Sequence, residues 1–201
     1  DVDGSDEAAF VVALVWVTTF DGLVTTAAWG AVAGWVVDAG VPPLSVYAVA
    51  MVAGYGVFLG VYRSAARLAR RTAPTYLSAA TLARAFAPPL LAIAAGYHLA
   101  HFLGYFLTLL PALGAALQHP IAGPTAPVAL VLPGWFGALE LAFVLAGHVL
   151  AIWVAHAVAF DLFPDRLQAI RSQYPFIAVM IAYTTLSLWI VAEPTLAPPY
   201  L

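Results

Sequence analysis

Long apolar runs separated by short polar breaks make up most of this chain of 201 residues. A helix of about 20 apolar residues crosses the hydrocarbon core of a bilayer, which is roughly 30 Å thick, and each run is at least about that long. The pattern predicts an all-α fold, a polytopic transmembrane helical bundle of about five spans that forms a single integral membrane domain over residues 1–201. The predicted spans cover about residues 8–37, 44–62, 84–110, 135–163 and 175–192.

The first of these runs is longer than one crossing requires. As a single helix, residues 8–37 would be about 45 Å long. The sequence Phe20-Asp21-Gly22 interrupts the run with a carboxylate and a glycine. We therefore expect a tilted helix, a helix broken near Gly22, or a span followed by a helix that lies on the membrane surface.

Composition supports a membrane protein and excludes several other classes. The chain is 64% hydrophobic and 8% charged, with a mean hydropathy of +0.95, whereas soluble domains carry about 25% charged residues. The absence of cysteine excludes disulfides, thiolate metal sites and iron–sulfur clusters. The net charge of -3 gives no indication of nucleic acid binding, so the bilayer is the expected partner. The acidic start of the chain, residues 1–7, is unlike the positive start of a cleavable signal peptide.

The basic residues indicate the orientation of the spans. All seven are arginines, and they occur only in the Arg-rich loops 63–84 and 164–173. Because Lys and Arg accumulate in cytoplasmic loops, we expect both loops to be cytoplasmic. Loop 111–134, which has no formal charge, is then expected outside, and the N-terminus inside. Within loop 63–84 several arginines recur at helical spacing before Pro74, which predicts an amphipathic, solvated connector.

Four of the five histidines fall inside predicted spans, where polar side chains are costly and usually mark a site. His98 lies twelve residues before Leu110, about 18 Å below the outer boundary, and His148 lies thirteen residues after Trp135, about 20 Å below it. Since consecutive antiparallel helices are normally neighbours, we expect these two imidazoles to meet near the midplane. His101 is one turn from His98 and shares its face.

These histidines are the candidate metal ligands. Neutral imidazole is a common ligand for zinc, copper and iron. Asp21 could reach the level of His101 if the first span begins near Ala8, and His156 lies about 12 Å deeper than His148. The predicted metal set and its surrounding polar residues are His98, His101, His148, His156 and Asp21, with Tyr105, Tyr183, Thr184 and Ser187 behind them.

Several of these residues also have structural interpretations. A single intramembrane histidine often only forms a hydrogen bond between helices, which applies above all to His156. Asp21 could cap a helix break before Gly22. Packing and interhelical hydrogen bonds are the more probable roles of Tyr183, Thr184 and Ser187. Glu140 is interpreted as a residue at the headgroup level and His119 as an exposed loop residue.

The chain resembles a known family in a set of short motifs: Phe20-Asp-Gly22, Gly96-Tyr-His-Leu-Ala-His101, Gly147-His148 with Ala155-His156, and Arg171-Ser-Gln-Tyr-Pro175. They resemble a polytopic membrane protein family of actinobacteria and haloarchaea whose members are usually called uncharacterised. Some members carry the label "fenitrothion hydrolase", so the resemblance implies organophosphate hydrolysis. Members often have Asp directly after the second histidine of the fourth span, where this chain has Ala157.

Four functional hypotheses follow, in order of preference. The first is a membrane protein that binds copper or zinc at His98, His101 and His148 and transports or handles the ion. With no thiolate and only two methionines, such a site suits a divalent ion better than copper(I). The second is a b-type haem anchor of an electron-transfer or quinone enzyme, with partner subunits and with His98 and His148 as axial ligands. The third is a structural membrane subunit, and the fourth a membrane-bound hydrolase.

Overall fold

The fold is all-helical across the part of the chain that the structure describes. This structure, a computed structural model, describes residues 4–121, 129–193 and 196–200, so part of the expected outer loop 111–134 lies outside the described residues. The helices are α1 (Ser5–Leu23), α2 (Ala27–Asp38), α3 (Pro43–Thr72), α4 (Ala79–Ala85), α5 (Ala87–Gln118), α6 (Phe136–Leu162) and α7 (Arg166–Ala192).

Length and apolar composition confirm the predicted helical bundle. Four helical stretches are long and apolar enough to cross a membrane, and α1 with α2 counts as a fifth if the pair forms one span. Those four are Pro43–Thr72, Ala79–Gln118, Phe136–Leu162 and Arg166–Ile190. The protein is therefore a multi-pass membrane protein by the length and composition of its helices.

Of the arrangements expected for the first apolar run, the structure shows a helix broken near Gly22. Helix α1 ends at Leu23, and α2 begins at Ala27 in a direction 83° away from it. The new helix starts with a side-chain cap, because the hydroxyl of Thr26 accepts a hydrogen bond from the backbone N–H of Trp29 (3.2 Å). The polar residues that interrupt the first apolar run therefore mark a bend of the backbone.

Three helices extend beyond the limits that hydropathy predicted. Helix α3 continues through the arginines to Thr72, and α7 begins at Arg166 and includes Pro175. Helix α5 continues past Pro111 to Gln118, so the expected loop was wrong over its first residues. Hydropathy falls where a helix leaves the hydrocarbon, but the backbone hydrogen bonds of the helix do not depend on hydropathy.

The chain forms two compact units. The first, Asp1–Leu91 with Ala151–Leu201, has α3 at its centre, packed against α1, α4 and α7. Its core combines alanines with aromatic rings: Phe86 is 2% exposed, and its ring stacks on that of Phe176 at 4.4 Å. Small residues such as Ala69, which is fully buried, allow the helices to approach closely.

The second unit, Ala92–Leu150, contains most of α5 and the first part of α6. Its two helices touch at a pair of glycines. A Cβ atom built on Gly96 would lie 2.6 Å from the carbonyl oxygen of Phe143, and one built on Gly147 would lie 2.8 Å from that of Ala92. Only glycine permits backbones to approach this closely, so Gly96 and Gly147 fix the point where α5 and α6 cross.

Candidate functional site

The glycine crossing places His98 and His148 at nearly the same level of the second unit. His98 follows Gly96 by two residues and His148 follows Gly147 by one. At 1.5 Å per residue, each imidazole is attached within about 3 Å of the crossing along its own helix axis. Counting residues from the ends of the predicted spans also placed these two histidines at one level.

The two side chains do not point toward each other, as a meeting of the two imidazoles would require. With about 100° of rotation per residue, His98 is turned about 200° from Gly96, and His148 about 100° from Gly147. Neither imidazole points into the contact between α5 and α6, and His98 lies on the far side of α5 from it. The two rings therefore do not meet face to face across this contact, because small residues occupy the facing surfaces.

Each of these imidazoles is anchored through its Nδ1 atom to its own helix. The Nδ1 atom of His98 lies 2.7 Å from the carbonyl oxygen of Ala94, and that of His148 lies 2.8 Å from the carbonyl oxygen of Val144. A carbonyl oxygen can only accept a hydrogen bond, so Nδ1 carries the proton in both rings. In the neutral form, Nε2 is then the nitrogen that carries the lone pair.

His101 and Tyr105 continue the polar stripe of α5 beyond His98. The ring of Phe102 contacts both neighbouring histidines, with its centroid 5.5 Å from that of His98 and 4.8 Å, edge-on, from that of His101. His101 is exposed, and Tyr105 is 67% exposed. Tyr105, one of the polar residues expected around the metal ligands, therefore has a largely accessible side chain.

The remaining predicted residues belong to the first unit. Asp21 lies near the end of α1 and is exposed, whereas Ser187 of α7 is 7% exposed and Thr184 is half-buried. The hydroxyl of Tyr183 donates a hydrogen bond to the carbonyl oxygen of Phe58 (2.7 Å), and the two rings stack at 4.3 Å. Tyr183 thus joins α7 to α3 within this unit.

His156 has a partner that the sequence did not suggest. Its Nδ1 atom lies 2.8 Å from Oε1 of Gln173, while Nε2 of Gln173 donates to the carbonyl oxygen of Ala169 (3.0 Å). The second bond fixes the orientation of the amide, so its oxygen faces His156 and Nδ1 of the imidazole carries the proton. Gln173 belongs to the motif Arg171-Ser-Gln-Tyr-Pro175, but a glutamine 17 residues away gives no periodic signal of this contact.

Glu140 also lies against a glycine. A Cβ atom on Gly104 of α5 would be 2.7 Å from Oε1 of Glu140, so the absence of a side chain on Gly104 leaves room for this carboxylate beside the helix. Gly104 lies eight residues after Gly96 on α5, about 12 Å further along the helix and about 80° around it. A sequence search for small residues at helical spacing would have found this pair of glycines.

The Nδ1 hydrogen bonds of His98 and His148 are compatible with binding of a metal ion, or of a haem iron, through Nε2. Metal-bound imidazoles usually donate their other N–H to a carbonyl or carboxylate, as His98 and His148 do here. Within the described ranges, however, no group of three or more His, Cys, Asp or Glu side chains is arranged to hold a metal ion. The space beside Gly96 and Gly147 is filled by the backbone of the neighbouring helix, so the two glycines leave no room there for a flat macrocycle. The shared site of His98, His101 and His148 stays a prediction.

Comparison of the chain with protein-family models, with curated proteins and with solved structures gives no match, so the functional argument depends on the residues themselves.

Proposed function

We propose that this protein binds a divalent transition metal ion, copper or zinc, at intramembrane imidazole nitrogens and transports or handles it. The ligands in this proposal are the Nε2 atoms of His98, His101 and His148, which bind the ion a few at a time because the rings of His98 and His148 do not face each other across the contact between α5 and α6. Asp21 and His156 are further ligands along the path of the ion. The Arg-rich loops 63–84 and 164–173 are cytoplasmic in this proposal, and the N-terminus is inside.

The observation that carries the proposal is the anchoring of Nδ1 in His98 and His148 to carbonyl oxygens of their own helices. This bond fixes the tautomer, limits the rotation of the ring and leaves the lone pair on Nε2. Metal-bound histidines commonly satisfy their second N–H with a nearby carbonyl oxygen in this way. Both histidines satisfy this donor locally, which is what a ligand position requires.

An incomplete ligand set is compatible with movement of the ion. Structural zinc sites bring four ligands together and hold the metal as part of the fold. Passage across a membrane needs binding that is favourable enough for entry and weak enough for release. Imidazoles that bind the ion a few at a time meet both conditions, and they predict weaker binding than a structural site.

A metal titration of the purified, full-length protein tests the proposal. We expect zinc or copper(II) to bind in a fixed ratio to the protein, measured by calorimetry and by elemental analysis after desalting. Replacement of His98 or His148 by alanine should weaken binding by about tenfold or more, since each removes one ligand bond. His119→Ala is the matched control, because it removes an exposed imidazole that lies outside the proposed path.

Binding that is absent, or that falls equally in the His119→Ala protein, would contradict the metal proposal. A Soret band with split α-bands in the same sample would favour the haem alternative instead. A proton relay through these histidines is a further candidate, because a proton needs only one Nε2 atom and no group of three ligands. It predicts that liposomes containing the protein dissipate a pH gradient without added metal, and that the His148→Ala protein does not.

A further inference from the structure

A cationic cleft lies in the first unit, where the start of α1 and the short helix α4 meet the second half of α3. Its volume is about 300 Å³. Arg63 and Arg67 of α3 and Arg84 of α4 line it together with the ring of Tyr62. The other lining residues are Ser5, Ala8, Ala9, Leu59, Ala79, Ala80 and Ala83. None of the residues that line this cleft belongs to the proposed metal set.

Small side chains create the cleft. Helices α1 and α4 each turn alanines toward it, so no long apolar side chain fills the space between them. The wall is held by Tyr62, which is 1% exposed and donates a hydrogen bond from its hydroxyl to the carbonyl oxygen of Ala83 (2.6 Å). Because this bond joins α3 to α4, the arginines of the two helices are attached to a fixed frame.

The charged side chains that line the cleft are all positive. Arg63 and Arg67 are four residues apart on one face of α3, where like charges destabilise a helix by a few tenths of a kcal/mol. Its described lining includes no carboxylate. Asp6 and Glu7 lie nearby, in the first turn of α1, but do not line the cleft, and Glu7 accepts a hydrogen bond from the backbone N–H of Gly4 (3.3 Å). An anion between the arginines would offset their repulsion.

A second cleft extends the cationic surface. Its lining consists of Arg67, Arg70, Arg71 and Ala79, so it shares Arg67 and Ala79 with the first. Along the chain, five of the seven basic residues therefore line one or other of two adjoining clefts. Positive-inside topology requires arginines beside the spans, but it does not require them to surround a common cavity.

We propose that Arg63, Arg67 and Arg84 bind the phosphate group of an anionic ligand in this cleft. Guanidinium groups match phosphate in charge and in the geometry of paired hydrogen bonds. The depth is also suitable: the 20 residues of α3 before Arg63 span about 30 Å, the thickness of the hydrocarbon core, so the cleft lies at headgroup level. The phosphate can come from a lipid headgroup or from a soluble phosphate compound.

Two probes distinguish these sources when they are added to the purified, full-length protein in detergent. One is a short-chain phosphatidic acid and the other is inorganic phosphate, with binding measured by calorimetry. We expect at least one of them to bind, and Arg63→Gln, Arg67→Gln and Arg84→Gln each to weaken that binding by about tenfold or more. Binding of the lipid alone assigns the cleft to a headgroup, whereas equal binding of inorganic phosphate assigns it to a soluble ligand.

Arg166→Gln provides the matched control, because it removes the same charge from an exposed position that lines neither cleft. Its affinity should stay within about twofold of the unmodified protein. The proposal is overturned if neither probe binds, or if Arg166→Gln weakens binding as much as the cleft substitutions do. Arg84 is half-buried, so its substitution can also disturb folding. In that case Arg63→Gln and Arg67→Gln test the binding site, because both side chains are exposed and their loss should leave the fold intact.

Discussion

At the scale of single residues, the hydrogen bond between His156 and Gln173 predicts which imidazole nitrogen of His156 carries the proton. Gln173→Leu removes the acceptor from a side chain that is 3% exposed. We expect the proton of His156 to redistribute from Nδ1 to Nε2, and the protein to lose about 1 kcal/mol of stability with the buried hydrogen bond. The nitrogen chemical shifts of the imidazole report the tautomer, and thermal unfolding in detergent reports the stability.

Gln173→Glu is the control for this substitution, because a carboxylate keeps an acceptor for the Nδ1 proton. Its imidazole shifts should still show the proton on Nδ1. If the leucine protein gave the same imidazole shifts as the unmodified protein, the assigned role of Gln173 would be wrong.

The similar level of His98 and His148 on their two helices could be predicted from the sequence, but the direction of their side chains could not. Counting from the ends of the spans placed His98 and His148 at one level, as the glycine crossing does. Their rotation depends on which face of each helix makes the contact, and Gly96 and Gly147 determine that face through an interaction between distant parts of the chain. The spacing of histidines along one helix does not show which face of that helix contacts its neighbour.

At the scale of helices, the crossing of α5 and α6 predicts a strong effect of one added methyl group. Gly96→Ala and Gly147→Ala would bring Cβ to 2.6 Å and 2.8 Å from carbonyl oxygens of the partner helix. Those atoms belong to backbone and cannot rotate away, so the helices must separate. We expect a loss of about 1–3 kcal/mol of stability from each substitution, measured by thermal unfolding in detergent.

Two further glycines on the same helices serve as controls. A Cβ atom on Gly114 of α5 or Gly137 of α6 would meet nothing within 4 Å. Because alanine favours helix over glycine by up to about 1 kcal/mol, Gly114→Ala and Gly137→Ala should leave stability unchanged or raise it. Equal destabilisation by all four substitutions would argue against a specific crossing at Gly96 and Gly147.

The helices themselves show which boundaries hydropathy can locate. The prediction of residues 135–163 for the fourth span agrees closely with α6, Phe136–Leu162, because apolar sequence and helix end together there. At α3 and α7 the helix continues into arginine-containing sequence, so apolar length underestimates helix length. Pro111 was expected to begin a loop, but α5 continues past it. A proline removes one backbone donor and crowds the carbonyl of the preceding turn, but helices in membranes tolerate this where neighbouring groups satisfy the freed carbonyl.

At the scale of the whole molecule, orientation in the membrane is the remaining prediction, and single cysteines can test it because the chain has none of its own. Tyr76 and Ile121 flank the helical stretch Ala79–Gln118 and are 106% and 100% exposed. If the Arg-rich loops are cytoplasmic, a membrane-impermeant maleimide applied to intact cells should label Ile121→Cys and leave Tyr76→Cys unlabelled until the cells are opened.

Arg166→Cys, at the start of α7, should behave like Tyr76→Cys. The opposite labelling pattern would invert the proposed orientation, and labelling of all three in intact cells would contradict a crossing by this stretch. The outcome also determines on which side the cationic cleft meets its phosphate, because Arg63 and Arg84 lie in the same loop as Tyr76.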